Sequence, residues 1–329
     1  MAPRIVKIAA VGTCVPERIV TNDELSLALD TSDEWIRARS GIRERRIAAA
    51  DQATSDLGAG AAVRALSAAG VVPSQLDIII VASLSPDMIF PPTASFISGA
   101  IGADGAAAFD LSAACTGFVY ALSAGSAYVA SGQADRVLVV GADVVSKMLD
   151  WEDRSTAVLF GDGAGAVLLE HAVEDEEGII GFDLGNDPGG ADLLSLPAGG
   201  SRLPASSETI AGRRHFIQMN GREVYKFAAR IIVSSARKVL ADHGLGIEDV
   251  DLFVPHQANI RIIESAAKKL GIPPERVFTN LERYGNTSCA SIPICLDEAA
   301  SAGKLQHGDL VLMVGFGAGL SWGSCLVRW

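Results

Sequence analysis

Two stretches of the chain follow the same plan, and that repetition constrains the fold more than any single motif does. In the first, Cys115 opens a Gly/Ala/Ser-rich helical stretch that ends near Gly132, and the apolar run RVLVVG follows, ending at Gly141. In the second, Cys289 opens CASIPICLDEAASAG, a helix ending near Gly303, and LVLMVG follows, ending at Gly315. From cysteine to final glycine is 26 residues in both. The runs ahead of the two helices also match in kind: LDIIIVASLSPD before the first and VDLFVPHQAN before the second. Two correspondences in the same order predict an internal duplication, two similar α/β halves about a pseudo-two-fold axis. Equivalent loops of both halves would then meet at one site, where ligands bind in such folds.

The rest of the chain supports this plan. Short apolar runs at 77–84, 106–111, 136–143, 164–170, 251–256 and 309–315 read as strands, as does the N-terminal MAPRIVKIAAVG. Helical stretches at 53–70, 93–102, 116–131, 220–243 and 258–270 alternate with them. Near-continuous apolar strands between helices imply sheets buried on both faces. The Gly/Pro/Ser-rich segment at about 184–214 breaks the rhythm and reads as an excursion from the core. The expected halves are residues 1–172 and 173–329, the second containing the excursion.

Composition excludes several function classes. Apolar residues make up 49% and charged residues 20% of the 329, which excludes disorder. The apolar runs are too short to span a bilayer, and the N-terminus lacks a signal-peptide pattern, so a cytoplasmic protein is expected. Five scattered cysteines without a C-x-x-C pair, and five dispersed histidines, argue against a disulfide framework and against a metal site. A net charge of −12 weighs against nucleic acid or an anionic membrane as the main partner.

Three polar residues fall at strand-to-helix turns. Cys115, in SAACTGFVY, is either a small buried hydrophobe or a nucleophile whose pKa the helix N-terminus lowers. His256 ends DLFVPH directly after Pro255; a lone histidine there is either structural or a member of a polar pocket with the Gln and Asn of HQAN. Asn286, in RYGNTSCAS, is either an ordinary N-cap or the counterpart of the Cys115 turn in the second half. The joint placement of all three favours one site. FGDGAGA (160–166) lacks phosphate-loop and dinucleotide spacing and reads as a tight turn into a strand. GFGAGLSWG (315–323) is either a plain hairpin or a loop whose N–H groups bind an oxyanion.

With these residues in place the sequence resembles the thiolase superfamily, and within it the β-ketoacyl-acyl-carrier-protein synthase III family of initiating condensing enzymes. The resemblance runs from VGTCVPERIVTNDEL through TSDEWIRARSGIRERRIA, AACTGF, DRSTAVLFGDGAGAVLL, VPHQANIRI and YGNTSCASIP to GFGAGLSWGSCLVRW. It implies a thiolase-like fold, a layered αβαβα sandwich. Elongating relatives use Cys-His-His, so the Asn of YGNTS points to the initiating group or to its polyketide-synthase relatives.

The resemblance also implies the chemistry: a decarboxylative Claisen condensation of an acyl-CoA primer, short and acetyl-like, with malonyl-acyl-carrier-protein. Cys115 would form the acyl-enzyme, while His256 and Asn286 would hold the malonyl thioester and the enolate. Phe316 would gate the site, and Gly317, Ala318 and Gly319 would supply the oxyanion loop. CoA would meet Trp35, Arg39 and Arg154, the adenine sandwiched between indole and guanidinium. Phe90 and Met219 would border the acyl pocket, Phe90 reaching across a homodimer interface. Acidic carrier protein would dock on Arg222, Lys226 and Arg230, at i, i+4 and i+8 of one helix, and on Arg261, Lys268 and Lys269; solvated helix surface is the alternative. No cofactor is expected, acyl-CoA being a substrate. Thr116 departs from the usual alanine or serine and would alter pocket polarity. An acyltransferase or condensing enzyme loading a secondary-metabolite pathway, and a non-catalytic protein with an inert Cys115, are the rival readings.

Overall fold

The computed structural model describes residues 4–173 and 178–329; Met1–Pro3 of the expected first strand lie outside them. A five-stranded sheet has the order Val6–Cys14, Gly163–His171, Arg136–Asp143, Ile78–Ala82, Ala107–Leu111. A four-stranded sheet has the order Gly178–Asn186, Ser321–Arg328, Leu310–Gly317, Leu252–Pro255. The pairings correspond strand by strand. Arg136–Asp143 runs parallel to Ile78–Ala82 and antiparallel to Gly163–His171, as Leu310–Gly317 runs parallel to Leu252–Pro255 and antiparallel to Ser321–Arg328. The fifth strand of the first sheet, which pairs Ile80 with Phe109, has a one-residue remnant in the second, the bridge between Phe253 and Val277.

Side-chain alternation shows why both sheets are apolar on both faces. In Arg136–Asp143, Val137 and Val139 point into a central core, while Leu138, Val140 and Ala142 point into an outer one. In Leu310–Gly317, Val311 and Met313 face the central core and Leu310, Leu312 and Val314 another outer one. The period of two puts every second residue on each face. Two central helices, Gly117–Ala130 and Ser291–Ser301, fill the space between the sheets through Phe118, Val119, Leu122, Ile292, Cys295 and Leu296. Helices Thr54–Ala69 and Thr93–Ile101 cover the first sheet, and Gly221–Asp242 and Ile260–Leu270 the second. The result is five layers, helix–sheet–helix–sheet–helix.

The excursion differs from expectation at its start. Residues 184–186 still belong to the strand Gly178–Asn186, whose half-buried, glycine-containing pattern hid it in the sequence. Beyond it, Leu194–Ser195 pairs with Gln218–Met219 in a small two-stranded ribbon, and Ser207–Ala211 forms a short helix. The ribbon returns the chain to the protein body beside the cysteine turn.

Candidate active site

Each central helix is entered through a tight turn. After the strand Ala107–Leu111 the chain turns through Ala114–Thr116 before the helix Gly117–Ala130; after Asn286 it turns through Ser288–Ala290 before Ser291–Ser301. Ala114 has φ +46° and Ser288 φ +50°, left-handed values at equivalent places, one residue before each repeated cysteine. A side chain at positive φ costs of order 1 kcal/mol or more and persists only where surrounding packing imposes it. Asp143, at the end of Arg136–Asp143, ties the halves together. Its Oδ1 accepts from the Ser83 and Ser85 hydroxyls and from the Leu84 and Ser85 amides, and its Oδ2 accepts from the Cys289 amide at 3.0 Å.

Cys115, His256 and Asn286 line one tunnel-shaped cavity of about 330 Å³, together with Phe316 and Gly317. All three are buried, at 5%, 1% and 6% exposure. The Ser288 hydroxyl donates to Cys115 Sγ at 3.4 Å. The Ser288 amide donates to Asn286 Oδ1 at 2.9 Å, which turns the carboxamide so that its N–H groups are left for the cavity. His256 Nδ1 lies 2.6 Å from the Ser291 hydroxyl, and the imidazole packs edge-on against Phe316, centroids 5.2 Å apart. Gly317 lies so close to the cysteine turn that a Cβ there would sit 2.8 Å from the Cys115 amide nitrogen. The stretch 315–323 is therefore a true hairpin turn that also abuts the thiol.

Burial decides the protonation of the pair. It pushes the Cys115 thiol up to about 12; the Ser288 hydroxyl opposes the rise and the Asp143 carboxylate adds to it. The direction is opposite to the lowering expected from the helix N-terminus: burial dominates, the thiol sits in the turn before the helix rather than on its first residue, and its charged neighbour is the Asp143 anion. Burial likewise pulls His256 down to about 3. Neutral thiol and neutral imidazole face the same space.

Beyond the thiol lies a second, apolar cavity of about 200 Å³, lined by Leu84, Met148, Phe160, Leu194, Leu196 and Ile217 with Ser112, Ser195 and Ala318. Cys115, Phe160 and Leu194 border both cavities and form the partition. The placement of the remaining expected residues is mixed. Met219 lines the tunnel and not the second cavity, whereas its ribbon partner Leu194 lines both. Phe90 is 81% exposed and lines neither cavity of its own chain. Ala318 borders the second cavity, and Gly319 borders neither. Thr116 bonds the Ser321 hydroxyl at 2.9 Å, is fully buried and lines neither cavity, so it does not change their polarity.

At the exposed end of the tunnel stand Trp35 and Arg39, on the helix Asp33–Ser40 that Ser32 caps. Arg39 and Arg154 lie 5.9 and 5.2 Å from the Trp35 ring centroid, direct cation–π range. Arg154 touches the indole rather than standing a ring's width away, and it pairs with Asp30 at 3.3 Å. The basic residues divide. Arg222 and Arg261 sit at helix starts whose neighbours Gly221, Val224, Asn259 and Ile262 line the tunnel. Lys226 and Arg230 line a separate groove with Asp187 and Glu223, and Lys268 and Lys269 lie at the far end of their helix. Sequence reasoning missed Ser288, Ser291 and the second cavity. The repeat register could have singled out Ser288, which precedes Cys289 as Ala114 precedes Cys115.

Comparison with known proteins gives one family. Residues 109–188 match the family model 3-Oxoacyl-[acyl-carrier-protein (ACP)] synthase III, and residues 240–329 match its C-terminal counterpart. Proteins named beta-ketoacyl-[acyl-carrier-protein] synthase III from Desulfitobacterium hafniense and Symbiobacterium thermophilum are 51% and 52% identical; the alignments cover 98% and 100% of this chain and 98% and 99% of theirs. The crystal structure of 3-oxoacyl-[acyl-carrier-protein] synthase III from Aquifex aeolicus superposes with a TM-score of 0.91 at 44% identity, over 98% of this chain and 100% of that one. The priming beta-ketosynthase of the R1128 polyketide pathway superposes at 0.92 with 37% identity, over 99% of this chain and 97% of that one. The chain belongs to the β-ketoacyl-[acyl-carrier-protein] synthase III family of condensing enzymes.

Proposed function

We propose that the protein primes fatty-acid synthesis by condensing a short acyl-CoA with malonyl-acyl-carrier-protein to a 3-oxoacyl-acyl-carrier-protein. One observation carries the reading: a thiol, an imidazole and a carboxamide share a tunnel, and the thiol also opens on an apolar chamber. CoA enters past Trp35 and Arg39, with Arg154 turning from Asp30 toward the nucleotide. Cys115 Sγ attacks the thioester carbonyl, the bond to the CoA sulfur breaks, and the thiol proton leaves on CoA-SH. The Cys115 amide, with Gly317 pressed against it, offers a donor to the developing oxyanion.

The acyl chain then occupies the inner chamber. The small size and apolar walls of that chamber suit an acetyl or short branched chain. The malonyl thioester follows through the tunnel, its carbonyl meeting donors from His256 and Asn286. The bond to the carboxylate breaks, carbon dioxide leaves, and the electron pair remains as an enolate held by those two N–H groups. The enolate carbon attacks the acyl-Cys115 carbonyl, and the departing thiolate takes a proton from solvent. Decarboxylation supplies the carbanion, so the scheme requires no strong base and no cofactor.

Carrier protein docks at Arg222 and Arg261, whose positive charge lies beside the tunnel mouth of an otherwise acidic molecule. Two features support a homodimer. Met88, Ile89 and Phe90 form an exposed apolar protrusion, and the strand Ala107–Leu111 ends its sheet with an unpaired edge. A second copy's Phe90 would narrow the inner chamber. Among the described residues no helix is long and apolar enough to cross a membrane, consistent with work in the cytoplasm where both substrates reside. The test is release of labelled carbon dioxide from carboxyl-labelled malonyl-carrier protein. Release that requires acyl-CoA and is lost in Asn286→Ala supports the reading; acyl-CoA consumption without release contradicts it.

A further inference from the structure

We infer that Ser291 is a positioning residue: its hydroxyl fixes the tautomer of His256 and so makes the imidazole a donor toward the tunnel. The inference deepens the condensing reading and rests on it. The hydroxyl lies 2.6 Å from Nδ1, both groups are buried, and among the described residues this is the only hydrogen bond the Ser291 side chain makes. A buried O–H must donate or be left unsatisfied, and Nδ1 is the acceptor within reach. Nδ1 is then the bare nitrogen of a neutral ring, and the ring proton resides on Nε2.

The remaining contacts leave Nε2 one direction. The His256 backbone is anchored by its amide to the Val314 carbonyl at 2.8 Å, and the ring edge rests on Phe316. Among the described residues Nε2 makes no hydrogen bond, is not one of the sealed unsatisfied atoms, and belongs to a residue lining the tunnel. In the opposite tautomer its lone pair would confront the malonyl carbonyl oxygen. Ser291 opens the helix Ser291–Ser301, and the same short turn carries Ser288, whose amide orients the Asn286 carboxamide. One segment, 286–291, thus presets both donors before any substrate arrives.

The test uses full-length enzyme with 15N-labelled histidine, the His256 resonance identified by its disappearance in His256→Asn. The expected result is an Nε2–H tautomer in the wild type. In Ser291→Ala the signal shifts toward a mixture, and kcat for carbon dioxide release falls about 10–100-fold, less than or up to the loss of a whole oxyanion donor. KM for malonyl-carrier protein and acyl transfer to Cys115 change by no more than about twofold, and Ser291→Thr restores the rate. An Nδ1–H tautomer in the wild type overturns the inference, as does Ser291→Ala with unchanged tautomer and unchanged release. If Ser291→Ala also loses acylation, its spectrum decides: a tautomer mixture supports the inference, and an unchanged Nε2–H signal overturns it. A wild type that shows Nε2–H but releases no carbon dioxide removes the condensing reading and leaves the tautomer assignment in place.

Discussion

Burial acts on the thiol at 115 and the imidazole at 256 in opposite pKa directions and with one result, a pair without charge. Two pH predictions follow. Alkylation of Cys115 in substrate-free enzyme should rise steadily between about pH 7 and 9 with no plateau, since a thiol pushed up to about 12 ionises only above that range. A plateau below pH 8, followed by intact mass, would restore the lowered pKa. His256 is neutral in the folded chain down to about pH 3, whereas unfolded histidine protonates near 6.5. Between those values the unfolded state binds the extra proton, so this residue's linkage raises stability with pH and is lost on acidification through that window. Chemical denaturation of His256→Asn should show a shallower loss between pH 6.5 and 4 than the wild type. At Asn286 the carboxamide is fixed by the Ser288 amide. Asn286→Ala should cut decarboxylation about 100–1,000-fold, the usual loss for one oxyanion donor, while acyl transfer to Cys115 persists.

Among the elements, the end of the strand Leu310–Gly317 is pressed directly against the cysteine turn. Gly317→Ala would place a methyl 2.8 Å from the Cys115 amide and 3.2 Å from its Cβ. Acylation rate by stopped flow should fall at least about tenfold, with a loss of about 1–3 kcal/mol in stability from overpacking. The helix starts at Arg222 and Arg261 are the proposed docking rim. Arg222→Glu with Arg261→Glu should raise KM for malonyl-carrier protein about tenfold and leave malonyl-CoA use unchanged, because rim charges steer a protein partner; equal effects on both would contradict docking there. The central elements were legible because their apolar runs are completely buried: VLVVGA (137–142) and LVLMVG (310–315) are apolar throughout, and the matching distance from cysteine to glycine pointed to the duplication. The strand Gly178–Asn186 was not, since only two of its nine residues are buried. Leu194, Leu196 and Ile217 were invisible as chamber walls because they lie in or beside a two-residue ribbon too short to show periodicity, placed by tertiary contact. The trio's placement at strand-to-helix turns was readable; of the serines that orient it, Ser288 was within reach of the repeat register, whereas Ser291 was not, because a serine there also suits ordinary helix entry.

For the molecule as a whole, the protruding Met88–Phe90 segment and the open edge at Ala107–Leu111 predict a dimer. Ile89→Asp with Phe90→Asp should give a monomer by light scattering and broaden primer use by opening the chamber; a wild type that is monomeric at micromolar concentration contradicts the interface. The five-layer architecture stacks two sheets about a pair of central helices, so that Cys115 follows a strand of one sheet, His256 follows a strand of the other, and Asn286 precedes the second central helix. Neither half alone holds a nucleophile and its two donors. The most direct test is intact-mass analysis of the enzyme treated with a short acyl-CoA and then chased with malonyl-carrier protein. The account predicts one acyl adduct, located on Cys115 and absent in Cys115→Ala, which the chase removes with stoichiometric 3-oxoacyl-carrier protein. An adduct elsewhere, or one on Cys115 that survives the chase, would contradict it.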